Sequence, residues 1–349
     1  MSSSAHQYKG LKKQQPGVKP SYAAIDLGTN NCRMLIAEPT DDGFTVVDGF
    51  SQIVRLGEGL GKTGKLQQAA MDRTIKALII CANKIRSRRT TRIQCIATEA
   101  CRRASNGPEF IEHIKNETGL EFDPITPEEE ARLTLGGCAP LLNAVSGKAL
   151  LFDIGGGSTE IMWIDTFDYK QPEIISILSL PIGVVTLSER HDEDPLPQIT
   201  YQQIVDRVVR LLGNFCDQHD IKQCIQQHHV QMIGTSGTVT TLGAINLNLP
   251  RYNRSRIDGL CMEFPILQSV TDKLRSMTLH ERRQMPCIGH DRADLVLMGC
   301  AVLEAICKRW PVGLLTAADR GIREGLLNAM IDSDKQTIDQ STLNETSHG

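Results

Sequence analysis

The sequence predicts an α/β protein of two domains. Strand-length apolar runs alternate with stretches of helical period along the chain. A segment that opens the second half repeats the pattern of one near the start. The 349 residues also exceed what one domain of roughly 100–200 residues would need. Hydrophobic residues make up 40% and charged residues 23%, a balance that excludes a largely disordered chain.

In chain order, residues 1–20 read as a flexible polar arm. Strands at 22–26 (YAAID) and 32–37 (CRMLIA) flank a polar turn, with a short strand near 45–47. A helix covers 67–85, where Met71, Ile75, Leu78, Ala82 and Ile85 share one face. Strand 92–97, helix 108–118 closed by Gly119, and strand 120–125 follow. The boundary falls at 142–148 (LNAVSGK), giving a first domain of 21–142 and a second of 143–316. That second half opens again with strands at 149–153 (ALLFD) and 161–164 (IMWI) around a polar turn, then strand 174–180. Helix 201–215 carries Ile204, Val208, Leu211 and Phe215 on one side. Strand 230–233 feeds a helix from 238; helices 265–277 and 290–309, strand 312–316 and helix 321–331 complete the order. Residues 332–349 read as a disordered polar tail.

A net charge of −3 supplies no general basic field, so nucleic acid is not an expected partner. No run approaches the roughly 18 apolar residues of a membrane span, and the N-terminus lacks the apolar core of a secretory signal. The eleven cysteines are odd in number, show no CxxC, and mostly lie in apolar periodic stretches. They read as small core residues of a reducing compartment, which predicts a cytoplasmic protein.

Two segments 127 residues apart share one pattern. In the first, Asp26 ends a strand and Gly28, Thr29, Asn30 and Asn31 form the turn before Arg33. In the second, Asp153 precedes Gly155, Gly156, Gly157 and Ser158, with Glu160 after them. A strand follows each turn, so neither is a P-loop or a dinucleotide-binding loop. Small residues let several backbone N–H groups converge on one anion. The preceding aspartates suit Mg2+ or a metal-bound water better than bare phosphate. Each segment alone could be an ordinary glycine turn; their matching register favours two loops gripping a phosphate chain. A third loop, Ser236-Gly237-Thr238, leaves a strand and opens a helix whose free N–H groups favour anions. By itself it could equally be a plain Ser N-cap.

In TPEEEAR, Thr126 suits an N-cap, Pro127 the first helical position, and Glu129 the capping box. Glu128 suits the helix dipole. Glu130 falls past the box, where it is either a solvated side chain or a general base for water. Arg102 follows a buried strand, where α/β proteins often place ligand groups, and its fork matches phosphate oxygens.

With these residues together, the chain resembles the exopolyphosphatase and guanosine pentaphosphate phosphatase family. The resemblance covers about 22–330 and rests on DLGTNN, IVRLGEGL at 53–60, ATEACRRASN, TPEEEAR, DIGGGSTE and GTSGTVTTL. It implies two ribonuclease-H-like domains of the actin, sugar-kinase and heat-shock-chaperone ATPase superfamily, with a catalytic cleft between them. It also implies that Glu130 activates water, that Asp153 and Glu160 help hold Mg2+ with Asp26, and that Arg102 and Asn106 contact phosphate. Glu99 stands where many relatives carry Ser. Residues 317–331 are expected to pack back on the first domain. The resemblance is to a short form expected to lack the C-terminal helical region, and it implies a homodimer.

The implied reaction is Mg2+-dependent hydrolysis of the terminal phosphoanhydride of inorganic polyphosphate. Guanosine pentaphosphate 5′-phosphohydrolysis is the nearest alternative, with Arg33 as an extra partner for guanosine tetra- or pentaphosphate. An ATP-dependent sugar or acid kinase shares the loops. A non-catalytic nucleotide-binding protein is the alternative of a different class, and the intact Asp26, Glu130, Asp153 and Glu160 argue against it.

Overall fold

A computed structural model describes residues 20–143, 146–191, 193–217 and 219–346. Residues 1–19 of the arm predicted at 1–20 and residues 347–349 lie outside the described residues.

Two mixed sheets form. The first contains β1 (Tyr22–Leu27), β2 (Asn31–Thr40), β3 (Gly43–Ile53), β4 (Arg92–Ala97) and β5 (Phe122–Pro124), in the order β3-β2-β1-β4-β5. Strands β1 to β3 run antiparallel, while β4 lies parallel to β1 and β5 parallel to β4. The second contains β6 (Lys148–Ile154), β7 (Thr159–Asp165), β8 (Glu173–Leu180), β9 (Val230–Thr235), β10 (Cys261–Glu263) and β11 (Leu314–Ala318). Its order, β10-β11-β9-β6-β7-β8, repeats the first sheet with β10 added as an antiparallel edge. The same ribonuclease-H-like arrangement thus occurs twice, and the α/β class expected from the sequence is the one observed.

Residues 149–152 of β6 and 161–164 of β7 are all buried, which is why they read as continuous apolar runs rather than alternating ones. Strand β3 is far longer than the expected 45–47. Asp48, Gly49, Ser51 and Gln52 hide it by their low strand propensity, yet they pair with β2 residues along an outer edge.

Helix Pro127–Cys138 serves both halves. Its Ala131, Leu135 and Cys138 pack with Ala149, Leu151 and Met162 of the second sheet. It also crosses helix Ile322–Thr346, where a Cβ on Gly137 would meet Gly321 O at 2.0 Å. Ile322, Leu326, Leu327 and Met330 then cover Tyr22, Ala24 and Leu35, so the C-terminal helix returns to the first sheet.

The expected disordered tail from 332 is corrected by this helix, which runs on to Thr346. Asp334 accepts a hydrogen bond from Tyr22 Oη at 2.8 Å and pairs with Arg92. Polar composition alone could not reveal that anchor, because its partners are more than 200 residues distant in sequence. Among the described residues no helix is long and apolar enough to cross a membrane.

Candidate active site

The two turns adopt the same geometry. Gly28 N donates to Asn31 O at 2.9 Å, and Gly155 N donates to Ser158 O at 2.9 Å. They also face each other closely. A Cβ on Gly156 would lie 3.1 Å from Asn30 N, and one on Gly157 only 2.8 Å from Thr29 Oγ1. Gly156 packs on the backbone and Cβ atoms of the first turn and Gly157 on the Thr29 and Glu99 side chains, so a side chain at either position would be crowded. Gly28, Thr29, Asn30, Asn31 and Arg33 line one cleft with Gly155, Gly156, Gly157 and Ser158. Ser236, Gly237 and Thr238 line it too. Ser236 Oγ accepts from Val239 N at 3.0 Å, so it caps helix Gly237–Asn246 at the edge of the cleft. The cavity measures about 640 Å³, a size suited to a small ligand.

Four carboxylates gather beneath the turns. Asp26 is the next-to-last residue of β1, and Asp153 on β6 stands directly opposite Glu160 on β7. Asp26 and Asp153 keep an edge open to the cleft, yet desolvation dominates both. It pushes Asp153 up to about 8, with the Glu160 charge adding to it. Asp26 is raised by burial, which Arg33 partly opposes. Glu130 is held well above the carboxylate range by burial, then by Glu160, while Arg102 pulls it down. Glu160 is raised by burial and eased by the Ser158 and Ser179 hydroxyls. Crowded buried carboxylates require protons or a cation.

Asp26 Oδ1 is buried without a hydrogen-bond partner, as are Asn30 Oδ1 and Asn31 Oδ1. An orphaned acceptor beside Asp153 fits a divalent cation. Among the described residues no three His, Cys, Asp or Glu side chains could hold a metal by themselves. Mg2+ accommodates this, since it binds through one or two carboxylates and completes its octahedron with water and substrate phosphate. Asp26 and Asp153 are the residues suited to hold it. Glu160 fits that role less well: it does not line the cleft, and Oε1 already accepts from Ser179 Oγ at 3.0 Å. It acts on the site through its charge.

Thr126 Oγ1 accepts from Glu129 N at 3.2 Å, the expected cap. Glu128 is exposed, whereas Glu130 turns inward, is 7% exposed and lines the cleft. A solvated Glu130 is therefore excluded. Arg102 Nη1 donates to Ile125 O and lies 3.4 Å from Glu130 Oε2. It braces the glutamate, and its side chain is not part of the cleft wall. Asn106 is a clearer correction. Its Oδ1 accepts from Leu66 N at 2.8 Å and its Nδ2 donates to Leu66 O at 3.1 Å, so both groups clamp the 59–66 loop instead of phosphate. Glu99 joins the first turn, accepting from Thr29 Oγ1 at 3.0 Å and from Arg103 Nη1 at 3.0 Å.

Sequence reasoning missed Arg292, Arg323 and Tyr252, which all line the cleft. Arg292 was hidden because a helix was expected from 290. The helix starts instead at Val296, leaving Arg292 in a turn. Burial and the nearby Arg33 both disfavour its charge. Arg323 did leave a signal, as a cation in the first turn of a helix opposes the dipole. Neither Arg33 nor Arg292 has a side-chain hydrogen bond or ion pair among the described residues.

Residues 35–334 match the model of the Ppx/GppA phosphatase family. Exopolyphosphatase 2 of Mycobacterium tuberculosis is 28% identical over 324 residues, covering 87% of this chain and 96% of that protein. Guanosine-5′-triphosphate,3′-diphosphate pyrophosphatase of Vibrio atlanticus is 29% identical over 325 residues, 91% of this chain. The match spans only 60% of that relative's length. Among solved structures, an exopolyphosphatase from Cytophaga hutchinsonii superposes with a TM-score of 0.80 at 25% identity, over 90% of this chain and 98% of its own. An Aquifex aeolicus family member gives 0.74 at 26% identity, over 91% and 99%. The family match begins within β2 and runs through the second sheet into the C-terminal helix, and the chain belongs to the Ppx/GppA phosphatase family.

Proposed function

We propose that this protein is an exopolyphosphatase that hydrolyses the terminal phosphoanhydride of inorganic polyphosphate and releases orthophosphate. The observation that carries this reading is Glu130, a buried carboxylate on the cleft wall beside both phosphate turns. Backbone N–H groups of 29–31 and 156–158, with the first turn of helix Gly237–Asn246, take the phosphate oxygens. Arg33 and Arg292 offset the charge of the following units. Glu130 orients a water molecule and accepts its proton as the new O–P bond forms and the bridging P–O bond breaks. Its raised pKa makes it a stronger base once ionised. Mg2+, when held by Asp26 and Asp153, supplies charge neutralisation to the phosphoryl oxygens. The same reading has the enzyme act in the cytoplasm as a homodimer, without nucleic acid or membrane partners.

Guanosine pentaphosphate 5′-phosphohydrolysis is the second reading. Tyr252, the aromatic side chain on the cleft wall, favours it, because inorganic polyphosphate offers nothing to stack on an aromatic ring. Phosphate release from long-chain polyphosphate, guanosine pentaphosphate and ATP, with and without Mg2+, separates the two. Preference for polyphosphate supports the first, and preference for guanosine pentaphosphate supports the second. Release from none of the three would leave a binding protein.

A further inference from the structure

Segment 54–59 touches the first phosphate turn with its backbone and the second half of the molecule with its side chains. Val54 N and Arg55 N both donate to Asn30 O, at 2.9 and 3.0 Å, and Gly57 N donates to Thr29 O at 2.9 Å. The Arg55 guanidinium reaches the other way. Nη1 lies 2.9 Å from Asp294 Oδ2, Nη2 donates to Asp294 Oδ1 at 3.0 Å, and Nη2 also donates to Asp291 O at 3.1 Å. This fork brackets the turn that carries Arg292 into the cleft. A second tie follows four residues on, where Gly59 N donates to Glu189 Oε1 at 2.6 Å. Arg55 itself sits at φ 49, a left-handed conformation that a non-glycine residue keeps only when its surroundings impose it.

We propose that Arg55 is a positioning residue, a clasp between the domains that sets the first phosphate turn in register with the Arg292 turn. Its backbone holds the Asn30 carbonyl, leaving the N–H groups of Thr29 and Asn30 to face phosphate. Its side chain fixes the opposing arginine. A polyanion that bridges both halves then meets one prearranged site rather than two independent ones. Hydrolysis readouts rest on the exopolyphosphatase reading; the clasp itself does not.

The test compares Arg55→Gln, Asp294→Asn, the double variant and Arg55→Lys in the full chain. For tripolyphosphate with Mg2+, each single change is expected to raise KM about tenfold while kcat stays within about threefold, and the double variant to match the worse single. Arg55→Lys keeps the charge but loses the fork, and falls between. Small-angle scattering of the ligand-free variants is expected to give a larger radius of gyration than the wild type. The wild type converges on them at 1 M salt, where screening acts within about 3 Å. Multiplying rather than shared KM effects, or unchanged scattering, would overturn the clasp. If the wild type releases no phosphate from polyphosphate, equilibrium binding of tripolyphosphate and the scattering still decide the question, and only the functional reading fails.

Discussion

Arg102 Nη1 lies 3.4 Å from Glu130 Oε2 while it also donates to the carbonyl of Ile125. Ile125 directly precedes the cap of the helix that carries Glu130, so one guanidinium fixes both the glutamate and the entry of its helix. The arginine expected to hold phosphate thus contacts the glutamate proposed as the base. Its charge works against burial and against Glu160, Asp26 and Asp153, all of which favour a protonated Glu130.

Glu130→Gln keeps the side-chain shape and removes the base. Turnover of polyphosphate is expected to fall by about 10²–10⁴-fold, with equilibrium binding of the chain changed little. Phosphate release and binding measured on the same preparation check this. Turnover near the wild-type rate would remove Glu130 from the chemistry.

Arg102→Gln removes the neighbouring positive charge that lowers the Glu130 pKa. The folded-state pKa then rises further, and a larger share of the base stays protonated at neutral pH. The ascending acid limb of the kcat profile is expected to move to higher pH, with partial recovery of activity under alkaline conditions. A uniform loss of rate at every pH would instead point to a purely structural arginine.

Gly183→Ala tests the setting of the second turn. A Cβ there would meet the Gly156 carbonyl carbon and oxygen at 2.4 Å and Gly157 N at 2.5 Å. These are backbone atoms of the phosphate turn and cannot rotate away. Stability is expected to fall by about 1–3 kcal/mol, and KM for polyphosphate to rise with it. Thermal unfolding and steady-state kinetics read the two effects, and an unchanged KM would show that the turn tolerates displacement.

Burial, and then the Glu160 charge, push Asp153 up to about 8 in the folded chain, against an ordinary value of 3.8. Between those values the folded protein keeps a proton that the unfolded chain has already lost. The stability tied to that proton is complete below about pH 4 and lost as pH rises through 8, at up to about 1.4 kcal/mol per pH unit. Metal-free protein is therefore expected to lose thermal stability from pH 5 to 8, and Asp153→Asn to flatten that slope. Added Mg2+ should raise the midpoint more at pH 8 than at pH 5, because it replaces the proton. The opposite order would place the cation elsewhere.

The turns at 28–31 and 155–158 were legible because their composition is distinctive and local: small residues just after an apolar strand with Asp near its end. Glu130 was legible for a related reason, since Thr126, Pro127 and Glu129 account for the other positions of the first helical turn. Asn106 misled because an amide suits a backbone clamp as well as a phosphate, and only its neighbour Leu66 decides which. Arg292 was hidden by a helix that starts six residues later than its sequence pattern implies.

By itself, the sequence determined the α/β class, the repeated strand–turn–strand units and the chemical character of each loop. These depend on residues within a few positions of one another. Only the tertiary structure decided that Gly156 and Gly157 abut Thr29 and Asn30, that Arg102 lies against Glu130, and that Arg55 pairs with Asp294. It also decided that the residues after 332 continue a helix anchored by Arg92 and Tyr22. Each of those outcomes turns on burial and charge pairing between segments far apart in the chain. Such contacts change a residue's role without leaving any local pattern in the sequence around it.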